Sequence, residues 1–266
     1  MRGITSEPVE RDEHARTGAA RRSQGGESGQ AETNKWFFKT GPGQYGEGDR
    51  FLGITVPQLR AISRTHRDLR LNAVAALLGS RWHEERLLAL LILVHQYRRA
   101  DEPTRAAIHR LYLDHTRSIN NWDLVDSSAP QIVGAHLETR DRSKLRRLAR
   151  SPSLWERRIA MLATYHYIRK NDFADALAIA ELLLHDDHDL IHKAVGWMLR
   201  EIGNRDRAVE EDFLRRHARV MPRTMLRYAI ERFPEPLRRK YMTAKRAPAR
   251  NQRRRLPLFQ RASARR

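Results

Sequence analysis

The sequence predicts an all-α protein folded as an α-solenoid with a concave basic groove. Apolar residues recur at helical spacing from Pro57 almost to the end of the 266-residue chain. No run shows sustained period-two alternation, so no sheet is expected. Short helical motifs also recur at a spacing in the mid-thirties, which is typical of solenoids whose units bury their apolar faces on one another.

Two segments precede the helical pattern. Residues 1–33 are rich in Gly, Ser, Glu and Arg and contain almost no large apolar side chain. They cannot bury enough surface to offset the entropy of ordering, so a disordered leader is expected. The loop from Thr40 to Gly53 contains five glycines. It is either a mobile linker or a loop whose backbone approaches a ligand closely and carries Tyr45.

Helices are then predicted in succession. Pro57 suits a first helical turn, and Asn121 is a good N-cap for a helix that starts near Trp122. The expected helices cover about 57–67, 71–79, 83–99, 104–117, 122–138, 143–150, 153–169, 173–184, 189–202, 207–218, 222–232 and 235–244. They define one repeat domain over 34–244, followed by a basic tail, 245–266, that is expected to be disordered.

Four repeat motifs carry a cation at equivalent positions: Arg86, Arg158, Lys193 and Arg227. The first separation is twice as long as the other two and leaves room for a unit that contains Trp122 to Asp126. Equivalent positions of a solenoid face one surface, so these cations predict a groove suited to a phosphate backbone. The alternative is that they are solvated helix charges.

The composition restricts the classes of partner and chemistry. Lys and Arg number 51 against 32 Asp and Glu, a formal net charge of +19, which favours a polyanion such as nucleic acid or an anionic membrane. No apolar run is long enough to span a bilayer and the N-terminus is too polar for a signal peptide, so a cytoplasmic, nucleoid-associated protein is expected. The absence of cysteine excludes disulfides, thiolate catalysis and Cys-ligated metals.

The segment from Asn120 to Pro130 is the best candidate for chemistry. Trp122 and Asp126 are four residues apart, hence on one face of a helix. An aromatic ring one turn from a carboxylate suits a cationic or electron-poor ligand. The alternative is that Trp122 belongs to the core and Asp126 to the helix surface.

Two further segments interleave aromatic and basic side chains. The first runs from Trp155 through Arg157 to Arg158, and the second contains Lys193, Trp197 and Arg200. This combination is what a nucleic-acid groove needs, because cations hold phosphates while rings pack on sugars or bases.

The HDxxH motif of His188 and His192 differs from the zinc-protease HExxH by a shortened acid. No third ligand is evident, and an acidic loop that caps the next helix is favoured over a metal site. Neither a metal nor another cofactor is expected.

At four segments the sequence resembles the AlkD-like DNA alkylation repair family, a group of DNA glycosylases with HEAT-like helical repeats. The resemblance rests on GEGDRFLGITVPQLR ending at Arg60, NNWDLVD from Asn120, WERRIA from Trp155 and IHKAVGWMLRE from Ile191. It covers about residues 35–240, and the motifs occur in the family's order.

The resemblance implies a catalytic set of Asp126, Trp122, Trp197 and Arg158. In it, the carboxylate stabilises a cationic sugar, the two rings pack on the deoxyribose and the arginine lies near a phosphate. Tyr45 matches a family tyrosine near the damaged nucleotide. Members are taken to act through the sugar-phosphate backbone and to leave the base in the duplex.

The implied activity is excision of N3-alkyladenine and N7-alkylguanine from duplex DNA by a monofunctional glycosylase. A monomer is expected, with alkylated double-stranded DNA as partner and no membrane. DNA contacts are expected from Tyr45 and from the basic residues Arg86, Arg157, Lys193, Arg200 and Arg227. Two alternatives stay open: a non-catalytic helical-repeat protein that binds damaged or branched DNA, and a protein scaffold.

Overall fold

The computed structural model describes residues 28–244, and the regular elements of this part of the chain are helical. The α-helices are α1 (Ser28–Phe37), α2 (Val56–Thr65), α3 (Leu71–Leu78), α4 (His83–Arg99), α5 (Glu102–Asp114), α6 (Trp122–Asp126), α7 (Ala135–Leu137), α8 (Ser143–Ala149), α9 (Leu154–Ala163), α10 (Tyr165–Ile168), α11 (Ala174–Leu182), α12 (Asp189–Gly203), α13 (Arg207–His217), α14 (Arg223–Ala229) and α15 (Glu235–Thr243). A π-helical turn, Pro130–Gly134, precedes α7, and a 3₁₀ turn, Ile230–Arg232, follows α14. Extended pairing within 28–244 is limited to one bridge between Arg50 and Trp82.

The all-α prediction is confirmed, and most helix boundaries lie within a few residues of those expected. The side chains that begin the helices act as the sequence suggests. Asp101 accepts a hydrogen bond from Thr104 N, Ser153 from Glu156 N and Asp206 from Val209 N. These caps satisfy backbone donors that have no partner inside the first turn of a helix.

The helix expected over 122–138 is instead broken into α6, the π-helical turn and α7. Pro130 follows α6 closely, and its ring nitrogen has no hydrogen to donate to a preceding carbonyl. The π-helical turn accommodates this local change in hydrogen bonding. Helix α6 is therefore only five residues long, and Trp122 and Asp126 lie at its two ends.

The expected leader, 1–33, needs a correction, because α1 begins at Ser28. The sequence of α1, SGQAETNKWF, has little apolar periodicity, so its helical form depends on tertiary contacts of its last residues. Phe38, the residue after α1, is buried. The remainder of the leader and the tail 245–266 lie outside the described residues.

The helices form two layers. Helices α4, α6, α9, α12 and α14 follow one another along an inner layer, with the π-helical turn between α4 and α9. An outer layer packs on it, with α3 on α4, α8 on α9, α11 and α13 on α12. Fully buried aliphatic side chains such as Leu90, Ile159 and Leu199 fill the space between the layers.

Two glycines allow the inner helices to approach closely. A Cβ at Gly134 would lie 2.2 Å from Ala163 O, and a Cβ at Gly196 would lie 2.4 Å from Met225 O. Only a residue without a side chain fits at such separations. No helix within 28–244 is both long and apolar enough to cross a membrane.

Candidate functional site

The inner layer borders a cavity of about 570 Å³. Helices α6, α9, α12 and α14 contribute to its walls, as do α1 and, through Tyr45, the glycine loop (residues 40–53). Six rings and four cations dominate the lining, which consists of Trp36, Phe37, Lys39, Tyr45, Trp122, Arg158, Leu190, Lys193, Trp197, Arg200 and Tyr228. The expected alternation of aromatic and basic side chains is therefore present on one surface.

Trp122 stands on the wall of this cavity at the start of α6. Asn121 accepts a hydrogen bond from Trp122 N and fixes the start of the helix. The indole stacks on Phe38 with 5.5 Å between ring centroids and meets Phe37 edge-on at 5.8 Å. Trp122 is thus supported by the buried ring of Phe38 and the half-exposed ring of Phe37, and it also lines the cavity.

Asp126, at the end of α6, forms a bidentate ion pair with Arg158 of α9. Arg158 Nε donates to Asp126 Oδ1 at 2.9 Å and Nη2 donates to Oδ2 at 2.7 Å. Arg158 Nη1 also donates to the Leu190 carbonyl at 2.5 Å. The planar fork of a guanidinium fixes the orientation of the carboxylate that it binds.

The pair is largely withdrawn from solvent. The side chain of Asp126 is 16% exposed and that of Arg158 is 6% exposed, and Arg158 rather than Asp126 lines the cavity. Burial raises the pKa of Asp126, while Arg158 acts in the opposite direction and Asp123 adds to the increase. A carboxylate in this low-dielectric position interacts strongly with any positive charge that develops beside it.

Trp197 lies on α12, four residues after Lys193, and both line the cavity. The indole Nε1 donates to Glu201 Oε1 at 3.2 Å, and the ring packs against Tyr165. Lys193 pairs with Asp189 at 2.8 Å, and Arg200 pairs with Glu231. The lysine and arginine therefore have acidic partners before any ligand binds.

The glycine loop is held in place close to the site. Leu52 N and Gly53 N each donate to the Glu84 carboxylate at 2.9 Å. Tyr45 lines the cavity and meets Trp155 edge-on at 6.1 Å, and burial raises the pKa of its hydroxyl. Of the two interpretations of this loop, the structure favours a loop that carries Tyr45 to a site.

Three of the expected DNA contacts are not in the cavity, and the prediction for Arg86 is corrected. Arg86 is buried, with Nη2 2.5 Å from Asp49 Oδ1 and Nη1 bonded to the Ser80 carbonyl. Arg157 bonds Asp186 Oδ2 at 2.6 Å and the carbonyls of Ser151 and Pro152. Arg86 and Arg157 therefore serve internal contacts.

The third, Arg227, is exposed but does not line the cavity, whereas its neighbour Tyr228 does. The repeat spacing points to a helix that borders the cavity, α14. The residue of α14 that lines the cavity is Tyr228, one position after Arg227. Of the four repeated cations, Arg158 and Lys193 line the cavity, whereas the first and the last, Arg86 and Arg227, do not.

Sequence reasoning also missed Trp36, Phe37 and Lys39 on the cavity wall. The segment Trp36-Phe37-Phe38 marks the change from polar to aromatic composition, which is the signal that was available. Its place beside Trp122 depends on the fold of α1 and was not recoverable from helical spacing.

A buried charge network behind Trp122 was missed as well. His83 Nε2 donates to Asp123 Oδ2 at 2.8 Å, and Nδ1 donates to Asp49 Oδ2 at 3.1 Å. Asn121 Nδ2 also donates to Asp49, at 3.2 Å. The two carboxylates, acting against burial, raise the pKa of His83 to about 9, so the imidazolium form prevails at neutral pH. The network ties α4 to the glycine loop and to α6.

The sequence favoured an acidic loop as the cap of α12, but the N-cap of this helix is a histidine, His188. His188 Nδ1 accepts a hydrogen bond from Leu190 N at 3.1 Å, and His192 Nε2 donates to the Asp186 carbonyl at 2.5 Å. Within residues 28–244 no three His, Asp or Glu side chains form a group that could hold a metal ion.

Comparisons with known proteins agree with the fold and with the family that the sequence resembles. A family model described as DNA alkylation repair enzyme matches residues 23–233. A solved structure described as a predicted DNA alkylation repair enzyme from Enterococcus faecalis matches with a TM-score of 0.60 and 15% identity, over 78% of this chain and 96% of that one. No curated protein matches. At this identity the solved structure supports the fold alone, whereas the family model spans most of the chain.

Proposed function

The chain belongs to the DNA alkylation repair enzyme family, and from that premise we propose that it is a monofunctional DNA glycosylase. Its substrates are cationic alkylated purines in duplex DNA, N3-alkyladenine and N7-alkylguanine. Alkylation at a ring nitrogen makes the base positively charged, so the base becomes neutral when it leaves. The protein then has to stabilise mainly the sugar.

The observation that supports this proposal is an oriented carboxylate next to a cavity walled by two indoles. Hydrolysis of a glycosidic bond passes through an oxocarbenium-like sugar. The Asp126 carboxylate would stabilise that positive charge at short range, and the faces of Trp122 and Trp197 would add cation–π attraction. The attraction of each group for the sugar is strongest in the transition state, when the sugar is most cationic. Interactions that are stronger in the transition state than in the ground state lower the activation barrier.

The reaction balances without a cofactor. The bond between C1′ and the purine nitrogen breaks, and its electron pair neutralises the alkylated ring. The oxygen of a water molecule then bonds to C1′, and the proton released passes to the Asp126 carboxylate. Arg158 keeps this carboxylate oriented and, as a residue of the cavity wall, would lie near a flanking phosphate.

DNA would be held by the cations on the cavity wall. Lys193 and Arg200 exchange their acidic partners for phosphates, and the Tyr45 hydroxyl contacts the backbone near the reacting nucleotide. Because these contacts are electrostatic, affinity should decrease as the salt concentration rises. The partner is double-stranded DNA bound by one copy of the chain.

The test is a single-turnover assay of base release from duplexes that carry N7-methylguanine or N3-methyladenine. Asp126→Asn is expected to reduce the rate by about 100-fold or more while DNA affinity stays similar, because the charge beside the sugar is lost. Asp114→Asn, on the exposed surface of α5, is the matched control and should keep full activity.

Two results would contradict the proposal. A wild-type protein that binds alkylated duplex but releases no base would be a DNA-binding protein without excision activity. If Asp126→Asn released base as fast as the wild type, the protein would still be a glycosylase but the role given to Asp126 would be wrong.

A further inference from the structure

Trp36 and Phe37, at the end of α1, are the most exposed large apolar side chains of the part of the chain that the structure describes. They are 73% and 51% exposed, ahead of Val56 and Leu182. Adjacent exposed rings are unusual on a protein surface and commonly mark a contact with another molecule. Both also line the cavity of the candidate site, so this pair is called the aromatic rim.

The aromatic rim is continuous with the wall formed by Trp122. Phe37 lies edge-on to Trp122, with 5.8 Å between centroids and a 71° angle between planes. Trp36 is the next residue outward and carries Lys39 Nζ 4.6 Å from its ring centroid. The aromatic rim and Trp122 therefore form one continuous aromatic surface.

The backbone leaves α1 through a turn that contains Lys39. Lys39 has a φ of 55°, the left-handed conformation that residues other than glycine rarely adopt. This turn follows the helix and accompanies the placement of the Lys39 ammonium over the Trp36 indole. Strained backbone of this kind clusters at ligand sites, where the surrounding structure holds it.

The surrounding charges identify the class of ligand. Four cations line the same cavity: Lys39, Arg158, Lys193 and Arg200. A surface that combines exposed flat rings with cations suits a strand of nucleic acid, because bases stack on rings while phosphates pair with cations. An apolar protein surface would offer these cations no acceptor beyond the acidic partners that Arg158, Lys193 and Arg200 already have.

We propose that the aromatic rim stacks on a nucleobase that has left the duplex stack beside the reacting nucleotide. The inference rests on the proposed function for the choice of DNA as the ligand, and it adds a site for a base to the sites for sugar and phosphate. Trp36 supplies the stacking face, and Phe37 connects that face to the wall that contacts the sugar.

The experiment compares two probes with the full chain. One is a duplex that contains a tetrahydrofuran abasic-site analogue with a neighbouring 2-aminopurine, and the other is the same duplex without the analogue. Dissociation constants are measured over a range of salt concentrations, and 2-aminopurine fluorescence reports the environment of the neighbouring base. The variants are Trp36→Ala and Trp36→Phe.

Two matched controls separate stacking from general effects. Thr33→Ala shortens another exposed side chain of α1, and Leu182→Ala removes an exposed apolar side chain from α11. Neither residue lines the cavity. Both should bind like the wild type.

Trp36→Ala is expected to weaken binding to the abasic duplex about tenfold and binding to the intact duplex less than about twofold. The slope of log affinity against log salt concentration should not change, because no phosphate contact is removed. Quenching of the 2-aminopurine by the protein should decrease in Trp36→Ala and return in Trp36→Phe. The melting temperature should stay constant, since an indole that is 73% exposed adds little to the core.

Several results would overturn the inference. Equal losses on both duplexes, or no loss on either, would show that Trp36 does not contact a displaced base. A reduced salt slope would assign the effect to a phosphate contact of Lys39, and a wild-type dimer that Trp36→Ala converts to a monomer would assign the aromatic rim to self-association. A lowered melting temperature would assign Trp36 to the fold.

The proposed glycosylase activity is tested by a measurement that is independent of these binding experiments. Wild-type release of N7-methylguanine tests the glycosylase proposal, whereas neither of the two binding probes carries an alkylated base to be excised. Normal base release with unchanged binding by Trp36→Ala would reject the aromatic rim alone. Absence of base release with a tenfold loss on the abasic duplex would reject the glycosylase alone.

Discussion

At the scale of single residues, the geometry of the site depends on which acceptors the three nitrogens of Arg158 bind. Two of its nitrogens bind Asp126 and the third bonds the Leu190 carbonyl. A lysine would supply one point charge in place of this fork and would leave the carboxylate free to rotate. In the proposed reaction, the arginine therefore acts chiefly by orienting the Asp126 carboxylate.

The pH dependence of base release follows from this pair. Protonation removes the negative charge of Asp126, so the rate should fall as the pH decreases. Burial raises the pKa of Asp126 above its ordinary value of 3.8, which places the acidic limb of the rate profile at a higher pH than for an exposed aspartate. Single-turnover rates corrected for spontaneous depurination would show this limb.

Arg158→Gln provides the companion measurement. Arg158 lowers the pKa of Asp126, so its removal should shift the acidic limb to a still higher pH in addition to slowing the reaction. A limb at or below pH 3.8 in the wild type, or one that does not move in Arg158→Gln, would contradict the role given to Asp126.

At the scale of elements, the network of Asp49, His83 and Asp123 joins three separate parts of the fold. It connects the glycine loop, the start of α4 and the first turn of α6. Phe38, stacked on Phe51 and on Trp122, lies against the same imidazole. The positions of Tyr45 and Trp122 therefore depend on one buried imidazolium.

This network predicts a loss of stability at alkaline pH. The pKa of His83 is raised from 6.5 to about 9, so its contribution is fully present below pH 6.5 and disappears as the pH rises through about 9. The shift corresponds to about 3 kcal/mol of unfolding free energy as an upper bound. Urea unfolding at pH 6 to 10 would measure the decline.

The matched variants are His83→Gln and His185→Gln, since His185 is exposed. His83→Gln should be less stable at pH 6 and should lose most of the decline, while His185→Gln should keep it. Burial also raises the pKa of Glu210, to about 8, so part of the decline should survive in every variant. An identical pH dependence in wild type and His83→Gln would refute the proposed charge on His83.

At the scale of the whole molecule, the positive charge is unevenly distributed. The formal net charge is +19, and the segment 245–266 contributes nine basic and no acidic side chains. On the cavity wall, by contrast, Arg158, Lys193 and Arg200 are paired with acids. We therefore expect general attraction to DNA and the proposed contacts at the reacting nucleotide to come from different parts of the chain.

Deletion of 245–266 tests this division. The truncated protein should bind undamaged duplex more weakly and with a shallower salt slope, because fewer counterions are released. The single-turnover rate at saturating protein should stay within about twofold of the wild-type rate, because the site keeps all its residues. Complete loss of DNA binding would instead make the helical domain a scaffold without DNA affinity of its own.

The sequence was sufficient for most helices from residue 57 onward and for the residues that carry local signals, but it missed α1 and the break after α6. Trp122 and Asp126 follow a capping asparagine, and Trp197 shares a helical face with Lys193, so short-range spacing located them. Arg86 was misassigned because its partner, Asp49, is distant in sequence and meets it only in the folded chain. Trp36 and His83 were missed for the same reason, since their neighbours in space are set by α1 and the glycine loop.

The glycines at 134 and 196 have a consequence for how a duplex would fit. They bring successive inner helices together without intervening side chains, so the spacing of these helices, and with it the shape of the surface that they form, is fixed. A surface of fixed shape acts as a rigid template. The double helix, with a persistence length of about 150 base pairs, then has to supply the bending. Duplexes weakened by damage bend at lower energy, and such a template would select them before any bond is broken.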